Sequence, residues 1–179
     1  MTPDLGTRLG TVITALRQVV IPALPADEVL AVEQATLCIG QLAVLAEQYR
    51  YEADYQALCL AEMTGLATTL LADADGGPVT TAAAAELRAV LDRADAAPGL
   101  IPASLTHRRR NAIAAGVDDL LRASAQDATA EFLAASQRAV VEHGVRQAGR
   151  DRAWFRACGM DPDAGTLPGI PEMLEAGTR

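Results

Sequence analysis

All three tyrosines of the chain, Tyr49, Tyr51 and Tyr55, fall in LAEQYRYEADYQALCLAEM (residues 45–63), together with four acids, Glu47, Glu52, Asp54 and Glu62. Phenols and carboxylates gathered on one helix face can hold a cationic ligand or metal, or pass a proton between an acid and a base. Spacing decides whether they are gathered. A helix turns by about 100° per residue. That places Glu47, Tyr51, Asp54, Leu58 and Glu62 on one narrow stripe. Leu42, Leu45, Tyr49, Gln56, Leu60 and Met63 fall on the opposite side. Tyr49 is therefore expected in a core or interface, its ring buried and its hydroxyl paired. The acidic stripe reads as a solvated face, and the i,i+4 pair Arg50–Asp54 supports this. Two functional readings stand beside it. One is a binding site for an apolar, acyl or aromatic ligand near Tyr49, Tyr51, Asp54 and Tyr55. The other is a hydrolase or lyase using Glu47, Tyr51 and Asp54.

Other chemistries find less support. The ferritin-like di-metal pattern needs Glu-x-x-His on two helices. Here Ser104 stands three residues before His107 and Val140 three before His143, so no metal is expected. None of the three serines lies in G-x-S-x-G. All 15 basic residues are arginine, which removes Schiff-base, pyridoxal and P-loop lysine chemistry. The one basic cluster, THRRRNA, offers Arg108, Arg109 and Arg110 as an anion or acidic-partner contact, because arginine takes phosphate or carboxylate bidentately. RDRAWFRACG pairs Trp154 with arginine, a composition enriched at interface hot spots. Cys38, Cys59 and Cys158 have no disulfide spacing. Cys38, in an apolar run, reads as packing, and Cys158 as the more exposed thiol. No cofactor is expected.

These residues need elements to position them, and composition points to helices. Half the residues are hydrophobic but only 3% aromatic, so the core must come from Leu, Val, Ile and Ala, the last being the best helix former. Leu5, Leu9, Val12, Ile13, Leu16 and Val20 recur at helical spacing, with Thr2 or Asp4 as N-cap and Pro22 and Pro25 as the stop. Residues 26–72 contain no proline and read most simply as one helix of about 45 residues, or 70 Å at the standard rise. Within it LCIGQLAVLA (residues 37–46) is apolar nearly all round and must be covered by neighbours or by another subunit. DADGGPVT is the clearest loop; Thr80 or Thr81 then caps a short helix. APGLIPAS (residues 97–104) is the next break, with Ser104 as a cap. A last long helix spans residues 105–157, with Gly116 and SAQD as kink sites and Gly159 as its C′ residue. Residues 159–179, rich in Gly and Pro, read as an irregular tail or arm.

Net charge is −8, a sign that repels phosphate backbones and disfavours nucleic acid. The excess is uneven: 13 acids face 5 arginines in residues 1–99, and 6 acids face 9 arginines in residues 100–160. MTPDLGTRLG lacks a signal-peptide core, and no run reaches the roughly 18 uninterrupted apolar residues of a membrane span. A cytoplasmic protein without membrane contact is expected. The segment LRQVVIPALPADEVLAVEQATLCIGQLAVLAEQ (residues 16–48) resembles small uncharacterised bacterial proteins with a short helix, a V-I-P-A-L type break and a long Ala/Leu/Gln-rich helix. That resemblance implies an all-helical fold. It also implies encoding beside acyl-CoA dehydrogenase and aminoglycoside-phosphotransferase-like proteins, hence such a protein partner. It brings no catalytic residues. The expected whole is an all-α antiparallel bundle of two long and two shorter helices over residues 1–158, followed by the tail 159–179. It is expected to be homodimeric and to act as a non-catalytic accessory or interaction protein.

Overall fold

The computed structural model describes residues 4–95 and 103–177, and the fold is all-α; no strand forms among these residues. The carboxylate of Asp4 accepts the Thr7 N–H at 2.7 Å and so caps α1, Leu5–Ala15. A π-helical turn, Leu16–Val20, follows, then the short α2, Ile21–Ala23. Pro22 explains the π turn. It lacks the N–H that would bond four residues back, and its ring crowds that carbonyl, so the preceding turn widens. Leu24 is extended and ends the run.

The single helix expected over residues 26–72 is two helices, α3, Val29–Gln48, and α4, Glu52–Asp73. A turn closed by Tyr51 N–H to Gln48 C=O, 2.8 Å, separates them. The long helix expected over residues 105–157 is likewise two, α6, Ala103–Asp127, and α7, Ala130–Trp154, while α5 spans Pro78–Asp95. A 3-10 turn, Arg156–Cys158, ends at Gly159. That glycine has φ +72°, the left-handed cap expected of it. The tail is not irregular throughout: it closes with α8, Ile170–Gly177, whose Ile170 and Met173 are buried. The break expected over residues 97–104 lies mostly outside the described residues.

Two compact units emerge, and they do not follow the expected body-plus-tail division. Unit 1 joins the chain up to Glu52 with Gly149–Gly177; unit 2 is Ala53–Ala148. In unit 2 one apolar core draws Leu66, Ala67 and Leu70 from α4, Ala84 and Leu87 from α5, Ile113, Val117 and Leu120 from α6, and Phe132 from α7. α6 runs unbroken through Gly116. That glycine's missing side chain lets α5 and α6 approach, since a Cβ there would lie 2.8 Å from the Leu87 Cδ1. Asp127, at the end of α6, supplies the cap of α5 that Thr80 or Thr81 was expected to give. Its carboxylate accepts the N–H of Val79 at 2.8 Å, the N–H of Thr80 at 2.9 Å and the Thr80 hydroxyl at 2.6 Å.

In unit 1, α1 packs along α3, and α3 meets the 3-10 turn. The Gln48 amide donates to the Trp154 carbonyl at 2.8 Å, and Arg156 pairs with Glu47 at 2.8 Å. Arg152 clamps the chain after the 3-10 turn, donating to Asp161 at 2.7 and 3.0 Å and to Asp163 at 2.9 Å. The Arg152 guanidinium, helped by the Asp163 N–H, holds the Asp161 carboxyl down at about 2. A depressed carboxylate contributes stability above its unfolded value and loses it as pH falls through the folded one. The clamp should therefore open between about pH 4 and pH 2. Trp154 is the only tryptophan and is buried beside the clamp. Its emission should shift to the red over that window in the native chain, whereas in Arg152→Gln the shift should already be present at neutral pH. An emission maximum unchanged down to pH 2 would show that the clamp does not hold this segment.

Candidate functional site

The residues of the tyrosine–acid segment fall in both units. Tyr49 and Tyr51 belong to unit 1, Asp54 and Tyr55 to unit 2. The Tyr49 hydroxyl accepts from Arg50 Nε at 2.6 Å, with the guanidinium 5.3 Å from its ring centre. Tyr51 lies half-buried in the turn, Asp54 is exposed and Tyr55 is buried, its hydroxyl accepting from Gln147 Nε2 at 3.4 Å. The helical-wheel stripe fails because the helix stops at residue 48 and restarts at residue 52. Leu58, placed on the solvated face, is buried, and Glu47 is held by Arg156. Leu45, placed on the covered side, is exposed.

The arginine cluster is divided. Arg108 is exposed, whereas Arg109 and Arg110 are half-buried. Arg110 donates to Gln56 Oε1 at 3.3 Å and lies 3.2 Å from His107 Nε2. Trp154 is 4% exposed, so its indole is packed inside unit 1 and offers no contact surface; the neighbouring Phe155, 54% exposed, is what that segment presents. The cysteines reverse their expected order: Cys38 is exposed, Cys158 only half-exposed, and Cys59 is buried.

A polar seam between α4 and α7 escaped the sequence reading. Glu62 accepts from Arg146 Nε at 3.4 Å and lies 4.0 Å from His143 Nδ1. Tyr55 and Glu62 are seven residues apart on α4, and His143, Arg146 and Gln147 share one face of α7, so helical geometry brings these sets together. With some 80 residues between them, no local pattern announces the pairing. The seam reads as internal ion pairing. No group of three or more His, Cys, Asp or Glu side chains among the described residues is placed to hold a metal ion.

The exposed apolar faces of unit 1 are the more distinctive feature. On α1 and the π turn, Leu5, Val12 and Val19 follow a strict seven-residue spacing and are exposed, as is Val20. Leu9 and Leu16 occupy the alternate heptad positions and are half-buried, toward α3. On α3, Ile39 and Val44 are buried, but Val29, Leu30, Leu37 and Leu45 are not, the first two being 66% and 67% exposed. Together these eight side chains, on two neighbouring helical runs, present on the order of 700 Å² of apolar surface.

By length and composition, Val29–Gln48 is the one helix among the described residues apolar enough to cross a membrane, with 11% of its most apolar window buried. Glu33, Gln34 and Gln41 interrupt that run, and its last turn is tied into unit 1 through Glu47 and Gln48. A groove of about 560 Å³ runs along α1, lined by Thr7, Gly10, Thr11, Thr14, Ala15, Gln18 and Val19. All its walls come from one helical run, so it is an open surface furrow and encloses nothing. Comparison with protein-family models, curated proteins and solved structures finds no match to this chain.

Proposed function

We propose that this chain is a non-catalytic accessory protein that docks another protein chain on the exposed faces of α1 and α3. The observation that carries the reading is the open apolar surface of a helix whose length and hydropathy call for cover. Non-polar area removed from water at roughly 25 cal/mol per Å² drives such docking. Glu47 engaged by Arg156 and Asp54 standing in solvent support the non-catalytic side of the reading. In the same proposal the helices form antiparallel bundles, and the protein works in the cytoplasm, where an exposed thiol such as Cys38 stays reduced. The resemblance over residues 16–48 adds a partner class, an acyl-CoA dehydrogenase or phosphotransferase-like protein, because that segment carries six of the eight exposed side chains.

A photocrosslinking side chain at position 37, in living cells, tests the proposal. It should yield a protein adduct, while the same group at position 131, exposed on α7, should not. Absence of any protein adduct from position 37 would overturn the docking role.

A further inference from the structure

Resting on that docking role, we infer that the occupant of the α1–α3 face is a second copy of this chain, in a two-fold dimer. Four observations point to a copy. The first is area. The roughly 700 Å² of exposed side chains approaches the ~800 Å² per partner of a standard interface. The second is polarity. Leu30, Gln34, Leu37 and Gln41 follow one another at heptad spacing on α3, so two neutral amides share the leucine stripe, with the exposed Glu33 at its edge. An amide both donates and accepts, so Gln34 and Gln41 find in the same residues of a copy a complete partner and a fixed register. A partner surface of plain hydrocarbon would leave those amides unpaired at a cost of a hydrogen bond each.

The third observation is where the same stripe is already covered. Val44 and Gln48 continue the heptad positions of Leu30, Leu37, Gln34 and Gln41, and both are buried. Gln48 there donates to the Trp154 carbonyl, so this stripe of α3 accepts a packed neighbour with an amide bonded within it. The open portion, residues 30–41, lacks only the neighbour. The fourth is charge. The helical residues 5–20 carry only basic charge, Arg8 and Arg17, and the exposed charge of α3 is the acidic Glu33, Glu47 being held by Arg156. In a two-fold dimer each copy's α1 meets the other's α3, so opposite signs face each other twice.

Sedimentation velocity on the full chain, from about 1 to 100 μM, tests this. The expected species has twice the 18.7 kDa chain mass. Leu30→Glu/Leu37→Glu should be monomeric with unchanged helical circular dichroism. Val141→Glu/Val145→Glu, on the other exposed apolar pair, in α7, should remain dimeric. Gln41→Leu should tighten the dimer about tenfold, as removal of a buried polar pair does in helical seams. If the glutamate variant fails to fold, the native chain still decides: alkylation of Cys38, exposed and next to Leu37, should slow about tenfold from the lowest to the highest concentration. Three results overturn the inference: a monomer throughout with constant Cys38 reactivity, a dimer that survives the α3 glutamates, or a dimer lost with the α7 glutamates. The crosslink at position 37 separates the two failures. An adduct with a different protein keeps the docking role and removes the copy; no adduct removes both.

Discussion

Truncating Phe132 to alanine is expected to destabilise unit 2 by about 3–5 kcal/mol. Phe132 is 2% exposed and is the one aromatic side chain of a core otherwise made of Ala, Leu, Ile and Val. Truncation loses the transfer free energy of the ring and leaves a cavity. How much of the cavity closes depends on whether the helices can move inward. They have little room: α5 and α6 already touch where Gly116 meets Leu87, and Ala67 and Ala84 add no bulk that could swing into the gap. The backbone adds a second constraint. The Phe132 N–H donates to the Thr129 hydroxyl at 3.3 Å, and Thr129 is itself tied to the Asp75 carbonyl, so the first turn of α7 is pinned to the loop before α5. Urea unfolding followed by circular dichroism measures the effect as a lower midpoint with an unchanged slope. Phe155→Ala is the internal comparison: that ring is exposed, and its loss should stay within about 0.5 kcal/mol. A loss below about 2 kcal/mol at Phe132 would mean that the core relaxes more freely than this packing allows.

Helix content was legible because it follows from local composition: alanine in quantity, almost no aromatics, apolar residues at three- and four-residue spacing, and proline only between elements or in a first helical turn. Helix ends were legible where a local group supplies them. Asp4 caps α1 from its own sequence neighbourhood, and Gly159 ends the 3-10 turn by its own conformation. The break at residues 49–51 was not legible, and the one at residues 128–129 only as a kink site at SAQD just before it. Nothing local forbids a helix there. At the first, Gln48 reaches Trp154, 106 residues away; at the second, Asp127 reaches Thr80, 47 residues away. Tertiary partners of this kind outweigh helix propensities of a few tenths of a kcal/mol per residue. The same limit governs the candidate surface. That LCIGQLAVLA is too apolar to stand alone follows from composition. That Ile39 and Val44 find cover inside unit 1 while Leu37 and Leu45 do not depends on where α1 and the 3-10 turn lie. A wheel drawn through residues 47–62 misplaced Leu58 because it read the acids beside it as a solvated face, whereas Glu62, one turn on, is engaged by Arg146 of α7.

One substitution made at two glycines should give opposite signs. Gly65→Ala is expected to stabilise the protein by about 0.5–1 kcal/mol, because Gly65 lies inside α4 with open space around it and alanine restricts the unfolded chain. Gly76→Ala is expected to destabilise it by about 1–3 kcal/mol. Backbone conformation is not the reason, since Gly159 is the one described residue with positive φ. The obstacle is the facing chain. Gly76 pairs with Ala128 in an isolated antiparallel bridge, and a Cβ at Gly76 would stand 2.7 Å from the Ala128 Cα and 3.0 Å from the Asp127 carbonyl oxygen. These are backbone atoms and cannot swing aside, so the two strands of chain must part. Parting carries Asp127 away from the start of α5. The N–H groups of Val79 and Thr80 and the buried Thr80 hydroxyl then lose their acceptor together. Acid should reproduce the second half of this effect without the mutation. The Thr80 hydroxyl and the two N–H groups hold the Asp127 carboxyl below its ordinary value, so the cap is intact above the normal carboxylate range and weakens as pH falls beneath it. Hydrogen exchange at the first turn of α5 reads both routes. Faster exchange there in Gly76→Ala at neutral pH, and in the native chain only in acid, is the expected pair of results. Exchange unchanged by Gly76→Ala would place the hold on α5 somewhere other than this corner.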